Sequence, residues 1–166
     1  RLGTPVIGPS AVLTDLPNGT EYVVGVSVPH VRRLLVGRAE AAGLSPATLV
    51  HPSVCRGRDV EIAPGSVIWP GVVLTTNVRV GAHCHINNCV TVGHDTSLQE
   101  FVSINPQASV SGNVTVESDV LVGTNATILQ GLTVGRAATV GGGAVVTRDV
   151  QPELTVAGVP ARPMAR

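Results

Sequence analysis

From Ile62 to Val146 every sixth residue is a branched aliphatic: Ile62, Ile68, Leu74, Val80, Ile86, Val92, Leu98, Ile104, Val110, Val116, Val122, Ile128, Val134, Val140 and Val146. No insertion breaks the count. Two residues before each runs a second series, Val60, Ser66, Val72, Val78, Cys84, Val90, Thr96, Val102, Ala108, Val114, Val120, Ala126, Leu132, Ala138 and Ala144, continuing to Val150. None of these is charged and, Leu132 apart, none is larger than valine. A fixed period means stacked copies of one unit, and a period of six is the mark of a parallel β-helix. Two inward positions in six residues make one short strand and one corner. The branched aliphatic fills the core, and the small residue lets the chain turn. Glycine or asparagine follows the aliphatic at Gly81, Asn87, Gly93, Asn105, Gly123, Gly135 and Gly141. Those types tolerate left-handed backbone, which the corners are expected to need there.

The array is similar to that of hexapeptide-repeat proteins, whose prisms take three strands per coil and wind left-handed. On that likeness a coil is eighteen residues, and equivalent positions on neighbouring coils lie eighteen apart. The repeats then give about five coils, ~24 Å of prism at one strand spacing per coil. The expected fold is mainly β, a left-handed parallel β-helix with a small N-terminal α/β unit. Residues 1–50 lack the period. Tyr22-Val23-Val24-Gly25-Val26 reads as a buried strand. Val31, Leu34, Leu35, Ala39 and Ala42 repeat at helical spacing, with Gly43 placed to end the helix. Thr48-Leu49-Val50 reads as another strand, which completes a βαβ unit. Fifty residues cannot bury an independent core, so this unit either leans on the β-helix or is the tail of a larger α/β domain. The chain divides into residues 1–50, a β-helix over 51–152, and a Gly/Pro-rich tail over 153–166 that covers the last coil. Pro152 falls where the next aliphatic would stand.

Bulk composition excludes several functions. Net charge is zero, so there is no electrostatic footprint for nucleic acid. All eleven basic residues are arginine, and without lysine this chain cannot form a Schiff base or anchor pyridoxal phosphate. No apolar run reaches membrane-spanning length, and the opening does not read as a signal peptide. Cys55, Cys84 and Cys89 have no metal or redox spacing, and Cys84 falls in the inward series. A reducing cytoplasm is the expected setting.

Charged residues are sparse on the repeat, so His94-Asp95, following Val92-Gly93 at a corner, stands out. Histidine is the usual general base, and a neighbouring carboxylate fixes its tautomer and raises its basicity. The pair also reads as a surface histidine beside a turn aspartate. Gly112 lies eighteen residues on, hence at the same corner about 5 Å along the prism. There Ser111-Gly112-Asn113 offers backbone N–H groups with no side chain at the glycine. A base and a donor one coil apart suit acyl transfer, in which one takes a proton and the other holds an oxyanion. His83 and His85 raise a zinc hydratase of the β-helical carbonic anhydrase type as a rival, although their spacing does not match that family's ligands. Gly141-Gly142-Gly143 lacks the strand–loop–helix setting of a dinucleotide fingerprint, and reads instead as a side-chain-free strip for a slender ligand. An ice-binding face would need threonine ladders, and the threonines form none.

The run Ile86-Asn87-Asn88-Cys89-Val90-Thr91-Val92-Gly93-His94-Asp95 resembles the signature of bacterial sugar acyltransferases of the sialic-acid O-acetyltransferase type. That group includes the amino-sugar-nucleotide N-acetyltransferases of the bacillosamine and perosamine pathways. Leu49-Val50-His51-Pro52-Ser53, Ser111-Gly112-Asn113-Val114, Gly142-Gly143-Ala144-Val145-Val146 and Gly158-Val159-Pro160-Ala161-Arg162 resemble its other motifs. The resemblance implies a cytoplasmic homotrimer with active sites between neighbouring prisms. It also implies acetyl-CoA as donor, a sugar as acceptor (a nucleotide-linked amino sugar above all), and no metal. By the same resemblance His94 is the general base, Asp95 its acidic partner and Gly112 the oxyanion donor. Asn87 and His30 fall where the sugar is contacted, and Gly112, Thr124, Gly142, Gly143 and Pro160 along the CoA path. Val26-Ser27-Val28-Pro29-His30 resembles the second substrate loop of the family's N-terminal domain, with serine where glycine is common. The opening strand and Gly-rich loop of that domain are expected to be missing from residues 1–50. A catalytically idle trimeric β-helix, serving as a scaffold or a sugar-nucleotide binder, is the alternative.

Overall fold

The structure is a computed structural model that describes residues 3–164; residues 1–2 and 165–166, the outer ends of the first and last segments, lie outside the described residues. The hexapeptide period becomes a parallel β-helix with three faces. The first face stacks Leu49–Val50, Val67–Ile68, His85–Ile86, Ser103–Ile104, Leu121–Val122, Thr139–Val140 and Thr155–Ala157. The second stacks Cys55–Arg56, Val73–Leu74, Thr91–Val92, Ser109–Val110, Thr127–Ile128 and Val145–Val146. The third stacks Val60–Ile62, Val78–Val80, Ser97–Leu98, Thr115–Val116 and Thr133–Val134. Partners are eighteen residues apart, as in Thr91↔Ser109 and Ile104↔Val122. The period therefore becomes a three-strand coil.

Both inward series are buried, apart from the half-buried Val60, Ile62 and Leu132. Leu74, Ile86, Val92, Ile104, Val122 and Ile128 have no solvent exposure, nor do Val72, Cys84, Val102, Ala126 and Ala144 between them. Each fully buried aliphatic contributes about 1.5–3 kcal/mol, so the repeated layer holds the prism closed. The polar members of the small series are satisfied in one way. Ser66 Oγ donates to Gly81 O (2.8 Å), Thr96 Oγ1 to Ser111 O (3.0 Å) and Cys84 Sγ to Gln99 O (3.0 Å). In each case the acceptor is the corner carbonyl fifteen residues on. Burial pushes the Cys84 thiol up to about 12, so it stays protonated.

Four details depart from the sequence reading. First, the array extends past Ile62–Val146 to about six turns. Leu49–Val50 pairs with Val67–Ile68 and so forms the first rung instead of closing the N-terminal unit. Second, the last coil loses two residues between Val146 and Val150. Val150 pairs with Val134 and Val156 with Val140, each sixteen apart. Val150 thus takes the aliphatic position, and Pro152 falls harmlessly in the corner beside Gly135. Third, Thr155–Ala157 is a rung of the helix, and only Arg162–Pro163 folds back, antiparallel to it. Fourth, left-handed backbone sits three residues after each aliphatic, at Asn77, His83, Cys89, Asp95 and Phe101 among others, not one residue after. Glycine follows the aliphatic for steric reasons: a Cβ on Gly123 would meet Gly142 N at 2.5 Å.

The N-terminal unit leans on the first face. Strand β1 (Glu21–Tyr22) pairs in parallel with β2 (Ser45–Pro46), and helix α1 (Pro29–Ala41) lies between them in sequence. The expected strand is thus shorter than Tyr22–Val26, and Val23 is exposed. Gly43 ends α1 as expected: at φ 75° it lets Leu44 N–H reach Ala39 O (3.1 Å) and its own N–H reach Glu40 O (2.9 Å), a Schellman cap. The buried residues of α1 are Pro29, Arg32, Val36 and Ala39, whereas Leu34 is exposed. The helix is rotated from the apolar stripe because Arg32, not a leucine, makes the contact. Its guanidinium, 1% exposed, donates to Val26 O, Ser27 O, Ser103 Oγ, Phe101 O and Val102 O.

Candidate active site

His94 stands at the corner between the second and third faces. His94 Nδ1 lies 2.8 Å from Asp95 Oδ2. An ionised carboxylate can only accept, so Nδ1 carries the proton and Nε2 is left as the free base. Two adjacent side chains meet this way because Asp95 has φ 56°, and left-handed backbone turns its carboxylate back onto the ring. Asp95 Oδ1 accepts from Asn77 Nδ2 at 2.6 Å. The Asn77 and His94 hydrogen bonds together hold the Asp95 carboxyl below its ordinary range. The sequence reading missed Asn77. The signal was available, because Asn77 precedes Asp95 by one eighteen-residue coil.

His94 Nε2 faces Gly112. A Cβ added to Gly112 would sit 2.6 Å from Nε2 and 2.8 Å from Cε1, so any side chain here would collide with the ring. The ladder binds the flanking residues, with Asn113 N–H on His94 O (2.7 Å) and Ser111 N–H on Ile128 O (3.0 Å). Gly112 N–H has no acceptor among the described residues. A base nitrogen, a bare α-carbon and an unused N–H therefore share one exposed notch. The imidazole side chain is 63% exposed, so a substrate can reach it.

The other expected site residues lie elsewhere. Asn87, Thr124, Gly142 and Gly143 occupy the corner between the first and second faces, across the second face from His94. Thr124 and Gly142 are exposed, and Thr124 O accepts from Gly143 N–H (2.8 Å). Pro160 continues that edge, next to Ala161 N–H, which donates to Val145 O (2.7 Å). Asn87 is half-buried, donates to Ile104 O (3.1 Å) and lines a cavity of about 510 Å³ with Val23, Gly25, Ser27, Leu49, Trp69 and His85. That volume is in the range of small-molecule sites. His30 is exposed at the first turn of α1, toward Asp119 and Leu121, away from this cavity. His83 and His85 do not join His94. His83 stacks on Phe101 with ring centroids 4.9 Å apart, and His85 is buried in the cavity wall. No three His, Cys, Asp or Glu side chains converge among the described residues, and no helix there is long and apolar enough to cross a membrane.

This arrangement matches solved structures along nearly the whole chain. The acetyltransferase domain of PglB from Neisseria gonorrhoeae FA1090, in complex with acetyl coenzyme A, is 34% identical at a TM-score of 0.91. WeeI from Acinetobacter baumannii AYE is 30% identical at 0.93. Perosamine N-acetyltransferase from Caulobacter crescentus, in complex with CoA and GDP-perosamine, is 28% identical at 0.96. Each match covers 99% of this chain and 80% of the other. The chain belongs to the hexapeptide-repeat sugar N-acetyltransferases. Neither a family model nor a curated protein matches it. As an acetyltransferase of this type it is a CoA-dependent enzyme, and the resemblance read from Ile86 to Asp95 identified the right family.

Proposed function

We propose that this protein transfers the acetyl group of acetyl-CoA to the amine of a nucleotide-linked amino sugar, with His94 as general base. One observation carries the reading: His94 Nε2, freed by the Asp95 contact on Nδ1, faces the bare backbone of Gly112. Nε2 takes a proton from the acceptor nitrogen as that nitrogen attacks the thioester carbonyl. The C–N bond forms, and the carbonyl oxygen becomes an oxyanion that accepts from Gly112 N–H. Collapse breaks the C–S bond, and the CoA sulfur takes the proton back from the imidazolium. The products are the amide and free CoA thiol. Asp95 stays ionised throughout and stabilises the imidazolium.

The acceptor binds in the cavity under the N-terminal unit, where Asn87 and the Val23–Ser27 segment meet. His30, pointing away, serves the nucleotide end at most. The pantetheine arm runs along Thr124, Gly142, Gly143 and Pro160. These groups lie across the second face from His94 in one protomer. A homotrimer in which the first–second corner of one prism faces the His94 corner of the next brings them together. The cytoplasm supplies both acetyl-CoA and sugar nucleotides.

The test is free-thiol release from acetyl-CoA against a panel of amino-sugar nucleotides, GDP-perosamine first. Turnover on one acceptor, falling about 10²–10⁴-fold in His94→Ala, is the expected outcome. Full turnover by that variant removes His94 from the mechanism. Binding of acetyl-CoA without turnover on any amine would move the acceptor to a hydroxyl.

A further inference from the structure

The two oxygens of Asp95 each have one partner. Oδ2 accepts from His94 Nδ1–H at 2.8 Å and Oδ1 from Asn77 Nδ2–H at 2.6 Å. Asn77 lies one coil below Asp95, and both take the left-handed corner position, at φ 53° and 56°. The ladder fixes both backbones: Asn77 N–H donates to Arg58 O (2.9 Å) and Asp95 N–H to Thr76 O (3.1 Å). Amide and carboxylate are therefore held face to face by the coil itself. The facing group of Asn77 must be its NH₂, because the carboxylate can only accept. Without that tie the Asp95 side chain, 51% exposed, is free to turn away from the ring and bond to water. With Oδ1 tied, Oδ2 stays on Nδ1. The Asn77 contact is also the largest cause holding the Asp95 carboxyl below its ordinary range, which keeps it charged.

We infer that Asn77 is a positioning residue for the transfer reaction, holding the Asp95 carboxylate and through it the Nδ1–H tautomer of His94 that leaves Nε2 free. The inference rests on His94 acting as the base. It makes a chain of three side chains from two coils, Asn77 to Asp95 to His94, in which only the last touches substrate.

The test uses the full chain with ring-¹⁵N histidine, the His94 signal being assigned by its loss in His94→Ala. Asn77→Gly removes the amide while glycine accepts φ 53° without strain. Asn77→Asp keeps the shape but replaces the donor with an acceptor. In the unsubstituted protein neutral His94 is expected as the Nδ1–H tautomer. In both variants the population shifts toward Nε2–H, and kcat falls about five- to tenfold, the worth of one hydrogen bond to a charged group at an exposed site. KM for acetyl-CoA stays constant. In an Asp95→Ala background Asn77→Gly costs nothing further, because the two act through one path. An unchanged tautomer in both variants, or the same penalty with and without Asp95, overturns the inference. Its failure is separable from that of the base assignment. A fully active His94→Ala removes the base and leaves the tautomer link standing; an inactive His94→Ala with an indifferent Asn77→Gly removes only Asn77.

Discussion

The β-helix carries two polar regions of opposite character. On the first face, under α1, Arg32 is buried with five oxygen acceptors and no carboxylate. Burial lowers its pKa to about 10, so it remains a cation at neutral pH. Beside it Arg33 holds Asp119 with two hydrogen bonds (3.0 and 2.8 Å) and Glu100 with a third (3.0 Å), and lies 3.9 Å over the Phe101 ring. At the corner between the second and third faces, His94, Asp95 and Asn77 form an exposed line of two hydrogen bonds beside a bare glycine. The first region joins two structural units. The second leaves a basic nitrogen unpaired and open to solvent. One coil geometry builds both, and burial decides between them. Where a unit covers the face, polar groups are consumed in docking; where none does, an eighteen-residue step delivers side chains to a common notch.

Filling the glycine is the sharpest way to break this contrast. Gly112→Ala places a methyl 2.6 Å from Nε2, so the ring must swing off Asp95 or off the notch. Acetyl transfer is expected to fall about 10²–10³-fold, the loss seen when an oxyanion contact is removed. The thermal midpoint should hardly move, since the corner is exposed. A variant with normal kcat would mean that His94 does not work against this backbone. The next effect belongs to the docking face. Arg32→Met keeps the apolar stem but leaves Phe101 O and Val26 O without their donor. A loss of about 2–3 kcal/mol is expected from urea unfolding. The signal should come from Tyr22 and the α1 contacts, with the β-helix core unchanged. A stability equal to the unsubstituted protein would show that the buried cation is not what anchors α1.

The two regions were unequally legible in sequence. The repeat gave the prism, and the likeness to hexapeptide-repeat proteins, by setting the coil at eighteen residues, gave the strand partners and the step from His94 to Gly112. The same step stacks Asn77 under Asp95, but asparagine is too common at corners for the residue type to mark it. The docking face has no period. Arg32 was invisible as a core residue because its acceptors come from a distant segment, Phe101 to Ser103, that only the fold brings near. Leu34 misled for the same reason: helical spacing finds an apolar stripe but not which stripe a partner covers. The corner glycines were found with the wrong cause. Their positions follow crowding by the next coil, which φ preference alone cannot reveal. The separation of Asn87 and Gly142 from His94 is not legible in the likeness either, which assigns roles without edges.

The smallest effect tests the docking face through its proton affinity. His85 is buried with no carboxylate partner, and Nε2 has no hydrogen-bond partner. Burial first, then the Arg32 charge, lowers its pKa from 6.5 to about 4; the Val24 backbone opposes the shift, and nearby His83 adds to it. His83 is lowered as well, chiefly by burial, with Glu40 and Glu100 opposing and Arg32 and Arg33 assisting. The folded pKa lies below the unfolded one, so between about 4 and 6.5 the unfolded chain binds more protons. Stability from this source is complete above 6.5 and is lost as pH falls toward 4, up to ~3 kcal/mol for His85. Glu40, Glu100 and Asp119 carry charge around the same face, so a control must keep them. His85→Leu does so: it leaves every carboxylate in place and removes only the buried imidazole. Urea midpoints at pH 7 and pH 4.5 should differ less in the variant than in the unsubstituted protein. Equal differences would mean that His85 gains its proton without leaving the fold, through water entering the cavity beside Asn87.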